Sequence, residues 1–480
     1  MKFIILFIAL LLTASLSQAQ WEPDVRLTNN PFTSYLSRNT NAKVIAATGD
    51  TIHVVWADDR DGNYEIYYKR STDKGLSWEA DVRLTDSAGW SYDPSVAVSG
   101  SVVHVMWCDR RTLYQGIYYK RSEDGGSTWT ADIRLTVSFS NSESPALVID
   151  GLIIHVVWYD LRNGTGLGYE IYYKRSTDGG LTWGPDTRLT YDPSYSGYPG
   201  IVVSGSLVHI VWEDNRDGNG QIYYKQSNDN GITWGPDIRL TNTSTNSWDP
   251  CISLNGSVLH VVWMDMRDGL TYEIYYNRST DGGTTWSPDT RLTNDNGNSG
   301  YPTMAVSGSI LHIVWQDTRD GEWEIYYKQS TDAGVTWGED LRLTNANVDA
   351  GMPFIALSDS IVYVIWEDLR DGGVEEIYYK RNPTGNIPVG TGNDVVKNNW
   401  LRTSIWPNPA SGLLHLDFDT WPQEKALLGI RNLLGYEVFR GQIENMGTMV
   451  DVSGLQNGLY FVNISTGNKQ TVSKKLIILK

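Results

Sequence analysis

The sequence predicts an all-β chain in which a seven-bladed β-propeller, closed by its N-terminal strand, precedes a small C-terminal β-sandwich. Three observations lead there. Trp-x-Asp-x-Arg recurs at Trp56, Trp107, Trp158, Trp212, Trp263, Trp315 and Trp366, at spacings of 51 to 54 residues. A fixed period of that length marks one supersecondary unit repeated side by side, each unable to bury its apolar face alone. Within each period, short β-branched and aromatic runs alternate with turn formers. Finally, 20 Trp and 28 Tyr stand against 8 Phe, a bias that suits half-buried β surfaces, where a ring packs with its body and hydrogen-bonds with its tip.

The second repeat shows how one unit becomes four strands. Ser95-Val96-Ala97-Val98 alternates and stops at Ser99-Gly100, a tight-turn dipeptide; Val102 to Trp107 follows as its hairpin partner. Ile117 to Arg121 supplies a third strand and Asp132 to Thr136 a fourth, which gives the antiparallel blade of a propeller. The fourth-strand motif Asp-x-Arg-Leu-Thr occurs at Asp24, Asp81, Asp132, Asp186, Asp237, Asp289 and Asp340, so one copy precedes the first Trp-x-Asp-x-Arg and none follows the last. Trp21 to Thr28 matches Trp183 to Thr190 in register. The N-terminal strand is therefore expected to complete the seventh blade and remove a free sheet edge.

Between the third and fourth strands lies Ser-x-Asp-x-Gly-x-Thr-Trp or a close variant, at Ser71 to Trp78, Ser122 to Trp129, Ser176 to Trp183, Ser227 to Trp234, Ser279 to Trp286 and Ser330 to Trp337. These six turns resemble the Asp box (BNR repeat) of the sialidase-like propeller superfamily. That resemblance implies a structural role for Asp73, Asp124, Asp178, Asp229, Asp281 and Asp332, on the face opposite the ligand site. The chemistry agrees: the aspartate accepts turn N–H groups, the glycine permits positive φ, and the Trp plugs the hairpin.

The ends of the chain read differently. Lys2, the apolar run Phe3 to Leu16 and Ser17-Gln18-Ala19 predict a signal peptide over 1–19, too short an apolar run to span a bilayer. The propeller is expected over 20–381 and a Pro/Gly/Asn/Thr-rich linker over 382–399. In 400–480, Trp406-Pro407-Asn408-Pro409, Leu413 to Phe418, Val450 to Val462 and the basic strand Lys474 to Ile478 appear in order. They resemble the C-terminal sorting domain of type IX secretion substrates. The resemblance implies export through that machinery as a partner, with a secreted or outer-membrane-surface destination. A net charge of -17 argues against nucleic acid and anionic membranes as partners. No membrane span is expected in the mature chain. Cys108 and Cys251 fall on non-neighbouring units and are expected to be free thiols.

A repeat supplies the same group around a circle, whereas a site needs unlike groups at one point, so function is sought in the deviations. His53, His104, His155, His209, His260 and His312 hold one strand position in six blades, too far apart to share an ion. No metal and no cofactor are predicted. Each Asp and Arg of Trp-x-Asp-x-Arg is expected to pair, capping its hairpin and bracing the neighbouring blade. The rim loops entering each first strand vary more. Trp90, Tyr92, Asp93, Tyr198, Trp248, Asp249 and Tyr301 precede or neighbour a proline there, and aromatic platforms beside acids suit sugar stacking and hydroxyl recognition. The expected function is a secreted or surface propeller binding glycans or cell-surface polymers without catalysis. An exo-glycosidase of the sialidase type is the alternative. It is disfavoured because no Arg-Ile-Pro motif occurs and every rim-motif arginine is repeated sevenfold. Glu143, Glu213 and Glu367 are the irregular rim carboxylates available for acid–base work.

Overall fold

The computed structural model describes residues 21–163, 168–346 and 348–386, and in the C-terminal unit 403–406, 411–418, 426–432, 437–443, 447–466, 471–478 and 480. The expected signal peptide, residues 387–399 of the expected linker and Pro407 to Pro409 lie outside these residues. Two compact units divide near Val389. All the regular structure among the described residues is β, and no helix is long and apolar enough to cross a membrane.

In the larger unit the strands fall into seven open antiparallel sheets. The second sheet is representative: Ser91–Ser99, Val102–Asp109, Gly116–Ser122 and Ile133–Arg134 pair in chain order. In the seventh, Ala350–Ser358, Ile361–Asp368 and Glu376–Asn382 are joined by Val25–Arg26 from the other end of the unit, with Val25 opposite Tyr379 and Arg26 opposite Tyr378. The first sheet departs from the pattern. Its first strand is split into Ser34–Tyr35 and Ile45–Thr48, both pairing with Thr51–Asp58, and residues 36–44 between them form a plug.

Aromatic contacts link each sheet to the next in a fixed sense. The Trp of each Ser-x-Asp turn meets, edge to face, a tyrosine of the preceding sheet: Trp129 on Tyr68, Trp183 on Tyr119, Trp234 on Tyr173, Trp286 on Tyr224 and Trp337 on Tyr276, with centroids 5.0 to 5.1 Å apart. Trp78 of the first sheet meets Tyr379 of the last at 5.1 Å, and Trp21 takes the turn tryptophan's place for the seventh by meeting Tyr327 of the sixth. The apolar core is correspondingly shared between neighbouring sheets. Within the turns, Asp124 Oδ1 accepts the N–H groups of Ser127 and Thr128 at 3.0 and 2.8 Å, and Gly126 sits at φ 94°.

The Trp-x-Asp-x-Arg residues bind mainly within their own sheet, with the expected brace to a neighbouring one reduced to contacts with the incoming connection, such as Arg319 with Asp295 at 2.7 Å. Asp58 Oδ2 accepts Trp56 Nε1 at 3.1 Å and Ser34 Oγ at 2.7 Å, and Arg60 reaches past Asp58 to Asp81 of the fourth strand at 2.7 Å. The guanidinium lies over the ring of Tyr67 on the third strand, 4.3 Å from its centroid, and so spans from the end of the second strand to the start of the fourth. Each of the six histidines pairs through Nδ1 with a third-strand tyrosine hydroxyl at 2.7 to 2.8 Å. Burial lowers their pKa values to about 4, so they are neutral packing residues. Cys108 and Cys251 are buried and unbridged.

The smaller unit consists of a three-stranded sheet (Thr403–Trp406, Leu413–Phe418, Gly447–Asp451) and a four-stranded sheet (Glu437–Ile443, Ala426–Asn432, Gly458–Thr466, Thr471–Ile478). They share a core that includes Leu414, Leu416, Ile430, Val450, Val462 and Leu476.

Candidate functional site

Six first strands carry a β-bulge where they enter their sheets, between Tyr92 and Ser95 in the second and at the matching place in the third to seventh. The residue before each bulge proline is left-handed: Asp93, Ser144, Tyr198, Asp249, Tyr301 and Met352 have φ between 48° and 51°. Non-glycine residues adopt this region at a cost, and a bulge re-aims the side chain it carries. The variable residue of Trp-x-Asp-x-Arg lies beneath the re-aimed ones and holds the next bulge. Gln316 Oε1 accepts the Met352 N–H at 2.9 Å, Cys108 Sγ the Ser144 N–H at 3.2 Å, and Glu213 the Asp249 N–H.

The plug completes this layer. Arg38 N–H donates to Asp93 Oδ1 (3.1 Å) and Leu36 N–H to Glu367 Oε1 (2.7 Å). Asn39 Nδ2 reaches the carbonyls of Ser144 and Pro199, and Asn41 Nδ2 that of Pro250. Four plug residues therefore touch the second, third, fourth, fifth and seventh sheets.

Beside the plug, a cleft of 460 Å³ is lined by Arg38, Tyr198, Glu213, Trp248, Asp249, Met264, Tyr272, Asn298, Gly300, Tyr301 and Trp323. That volume is within the range of small-ligand sites. Four of the seven residues singled out from the sequence, Tyr198, Trp248, Asp249 and Tyr301, meet here, together with the irregular carboxylate Glu213. The other three do not. Trp90 is half exposed and packs edge-on against Tyr64 at 5.8 Å with Arg110 5.6 Å from its ring. Tyr92 also faces Arg110, and Asp93 is buried under the plug, accepting Ser144 Oγ at 3.1 Å.

Arg38, Met264, Tyr272, Asn298 and Trp323 escape a reading confined to the residues around the prolines. Two signals mark most of them. Tyr272 and Trp323 immediately precede the third-strand Glu-Ile-Tyr-Tyr, where other repeats have Tyr64, Gln115, Tyr169, Gly220 and Glu375. Arg38 lies in the plug, and the plug lengthens the first repeat: Ser34 and Asp58 are 24 residues apart, whereas Ser91 and Asp109 are 18 apart. Small residues open the cleft. Gly220 leaves room for the Trp248 indole, which a Cβ there would strike, and Gly300 lies against Met264 Sδ.

The electrostatics are acidic. Desolvation raises the Glu213 carboxyl well above the usual carboxylate range and Asp249 to about 7; the two are neighbours, and each resists the other's ionisation. Both charges also act on the Tyr198 and Tyr301 hydroxyls, which places all four groups around one space. Glu367 is raised to about 7 by burial despite Arg38 at 3.3 Å. A second acidic spot lies on the third sheet, where Glu143 accepts the hydroxyls of Tyr169 (2.9 Å) and Tyr159 (3.3 Å). Among the described residues no group of three or more His, Cys, Asp and Glu is placed to hold a metal ion.

The larger unit is propeller-like, and the smaller one is a sorting tail. Residues 404–479 match the secretion system C-terminal sorting domain, so the protein is exported by type IX secretion to the cell surface or beyond it. Among solved structures, the polysaccharide lyase Uly1 is similar at 9% identity and TM-score 0.53, covering 76% of this chain and 99% of that one. A PL25 ulvan lyase bound to -[GlcA(1-4)Rha3S]- is similar at 13% identity and TM-score 0.51, covering 74% and 95%. In sequence, a Paenibacillus sp. xyloglucanase is 24% identical over 311 residues, 57% of this chain; the chain spans 29% of that relative's length.

Proposed function

We propose that the larger unit is a seven-bladed propeller, closed by Val25–Arg26, which binds a neutral glycan in the cleft beside the plug once the protein has been exported. The observation that carries this reading is the convergence of unlike residues in one cleft. Trp248, Tyr272, Tyr301 and Trp323 offer apolar faces for stacking, while Asn298, Arg38 and the two carboxyl groups offer polar contacts in the same cleft. The cyclic order of the Trp–Tyr contacts, with Trp78 on Tyr379, supports the ring.

Neutral glycans are favoured over uronates or sulfated polymers because buried Glu213 and Asp249 repel a ligand anion, and Arg38 is already engaged by Glu367. The lyases that share the fold act on polysaccharides, and the xyloglucanase is named for a neutral one; both support a carbohydrate ligand. The test is retention of the full-length protein on immobilised xyloglucan and on immobilised ulvan. Retention on xyloglucan, weakened in Trp248→Ala, is expected. Equal or stronger retention on ulvan would refute the preference, and retention on neither would refute the reading.

A further inference from the structure

Asp249 stands out among the cleft residues. Its side chain is about nine-tenths buried, lines the cleft, and receives no hydrogen bond among the described residues, although most acids of this rim are held by two or more donors. Its oxygens open onto the cleft rather than being sealed in the protein, so a ligand hydroxyl can reach them. Glu213 lies beside this carboxyl, fixed from below by the Asp249 N–H. The bulge produces this approach: Asp249 is left-handed at φ 48°, and Gly197, opposite Glu213 on the first strand of its sheet, makes room for the Tyr195 ring, which a Cβ there would strike.

Resting on the glycan-binding reading above, we infer that the Glu213–Asp249 pair hydrolyses a glycosidic bond of the neutral glycan held in this cleft. The aromatic walls formed by Trp248, Tyr301 and Trp323 hold the sugars on either side. One carboxyl of the pair is protonated and the other ionised. The protonated carboxyl gives its proton to the bridging oxygen as the bond from that oxygen to the anomeric carbon breaks. The ionised one takes a proton from a water molecule whose oxygen bonds to the same carbon. One glycosidic bond and one water become two hydroxyl-terminated sugars, and the pair again holds one proton, so no metal, oxidant or co-substrate is consumed.

Two features support a working acid. Two carboxyls close together in an apolar wall cannot both ionise, which keeps a proton available near neutral pH. Neither residue belongs to the sevenfold pattern. Glu213 is the variable residue of its Trp-x-Asp-x-Arg, where the others are Ala57, Cys108, Tyr159, Met264, Gln316 and Glu367, and only the fifth sheet follows a glutamate with an aspartate before its proline.

The experiment incubates full-length protein with xyloglucan and counts new reducing ends, with retention on immobilised xyloglucan measured on the same preparations. The expected result is release of reducing ends by the native chain and a loss of about 10²- to 10⁴-fold in Glu213→Gln and in Asp249→Asn. Both near-isosteric variants should keep the native tryptophan emission and urea midpoint, which reports their folding. Retention without reducing-end release by the native chain overturns the inference and leaves the binding reading standing. Absence of retention and release in the native chain overturns both. Release that survives in both variants overturns the assignment of the pair.

Discussion

Arg370 donates from Nη1 to Asp24 Oδ2 at 2.7 Å, joining side chains 346 residues apart. The same contact occurs within each other sheet, as Arg60 with Asp81 or Arg319 with Asp340, so the two ends of the unit reproduce what a single repeat does elsewhere. Asp24 also receives Lys380 Nζ at 2.8 Å.

Asp24→Ala should therefore unfold more readily than the native chain by about 1.5–3 kcal/mol, the usual range for charge-assisted hydrogen bonds. Urea denaturation followed by tryptophan fluorescence measures it. An unchanged midpoint would show that the N-terminal strand adds little to the seventh sheet.

Acid should weaken the fold well above the carboxylate range. The buried histidines bind protons near pH 4 when folded and near 6.5 when unfolded, so the unfolded chain takes up protons first. Their contribution is complete above about pH 6.5 and is lost as pH falls toward 4. In melting curves across that range, His209→Gln should start less stable at pH 7.5, having lost the Tyr224 bond, and show a shallower pH slope, by up to about 1.4 kcal/mol per pH unit.

Removing the plug's central amide should loosen the rim. Asn39 is fully buried and serves the carbonyls of Ser144 and Pro199 while accepting the Asn41 N–H at 3.0 Å. Asn39→Ala leaves those groups unsatisfied, and a loss of about 1–3 kcal/mol is expected in chemical denaturation.

Ligand retention should separate two tryptophans that look alike in the sequence. Trp248→Ala, at the cleft wall, is expected to weaken xyloglucan retention about tenfold, equivalent to ~1.4 kcal/mol. Trp90→Ala, engaged with Tyr64 and Arg110 outside the cleft, should change it less than twofold. Affinity electrophoresis in xyloglucan gels compares them; equal effects would move the binding surface toward the second sheet.

Repetition made much of the architecture legible. The offset between Asp24 and Trp366 foreshadowed the pairing of Val25 with Tyr379, since a pattern that begins mid-unit can only be completed from the other end. Pairing of His104 or Asp58 could likewise be expected from its recurrence. The cleft was legible only in part. Tyr198, Trp248, Asp249 and Tyr301 announce themselves by breaking the pattern before a proline, but whether they converge depends on the left-handed bulges, and nothing in a sequence period encodes that twist. Trp90 breaks the pattern equally and lies elsewhere. Arg38 was hidden because no proline marks the plug as it marks the other rim loops, although the plug reaches five sheets.

The strand at Val25–Arg26 also gives the chain a test of completeness. Its partner, Glu376–Asn382, is the last strand of the unit to be synthesised, so this edge stays unpaired until nearly the whole repeat array exists. Joining segments so distant is slow compared with forming any single hairpin. A chain cut short at any repeat would keep its local hairpins yet leave Val25–Arg26 without its partner strand.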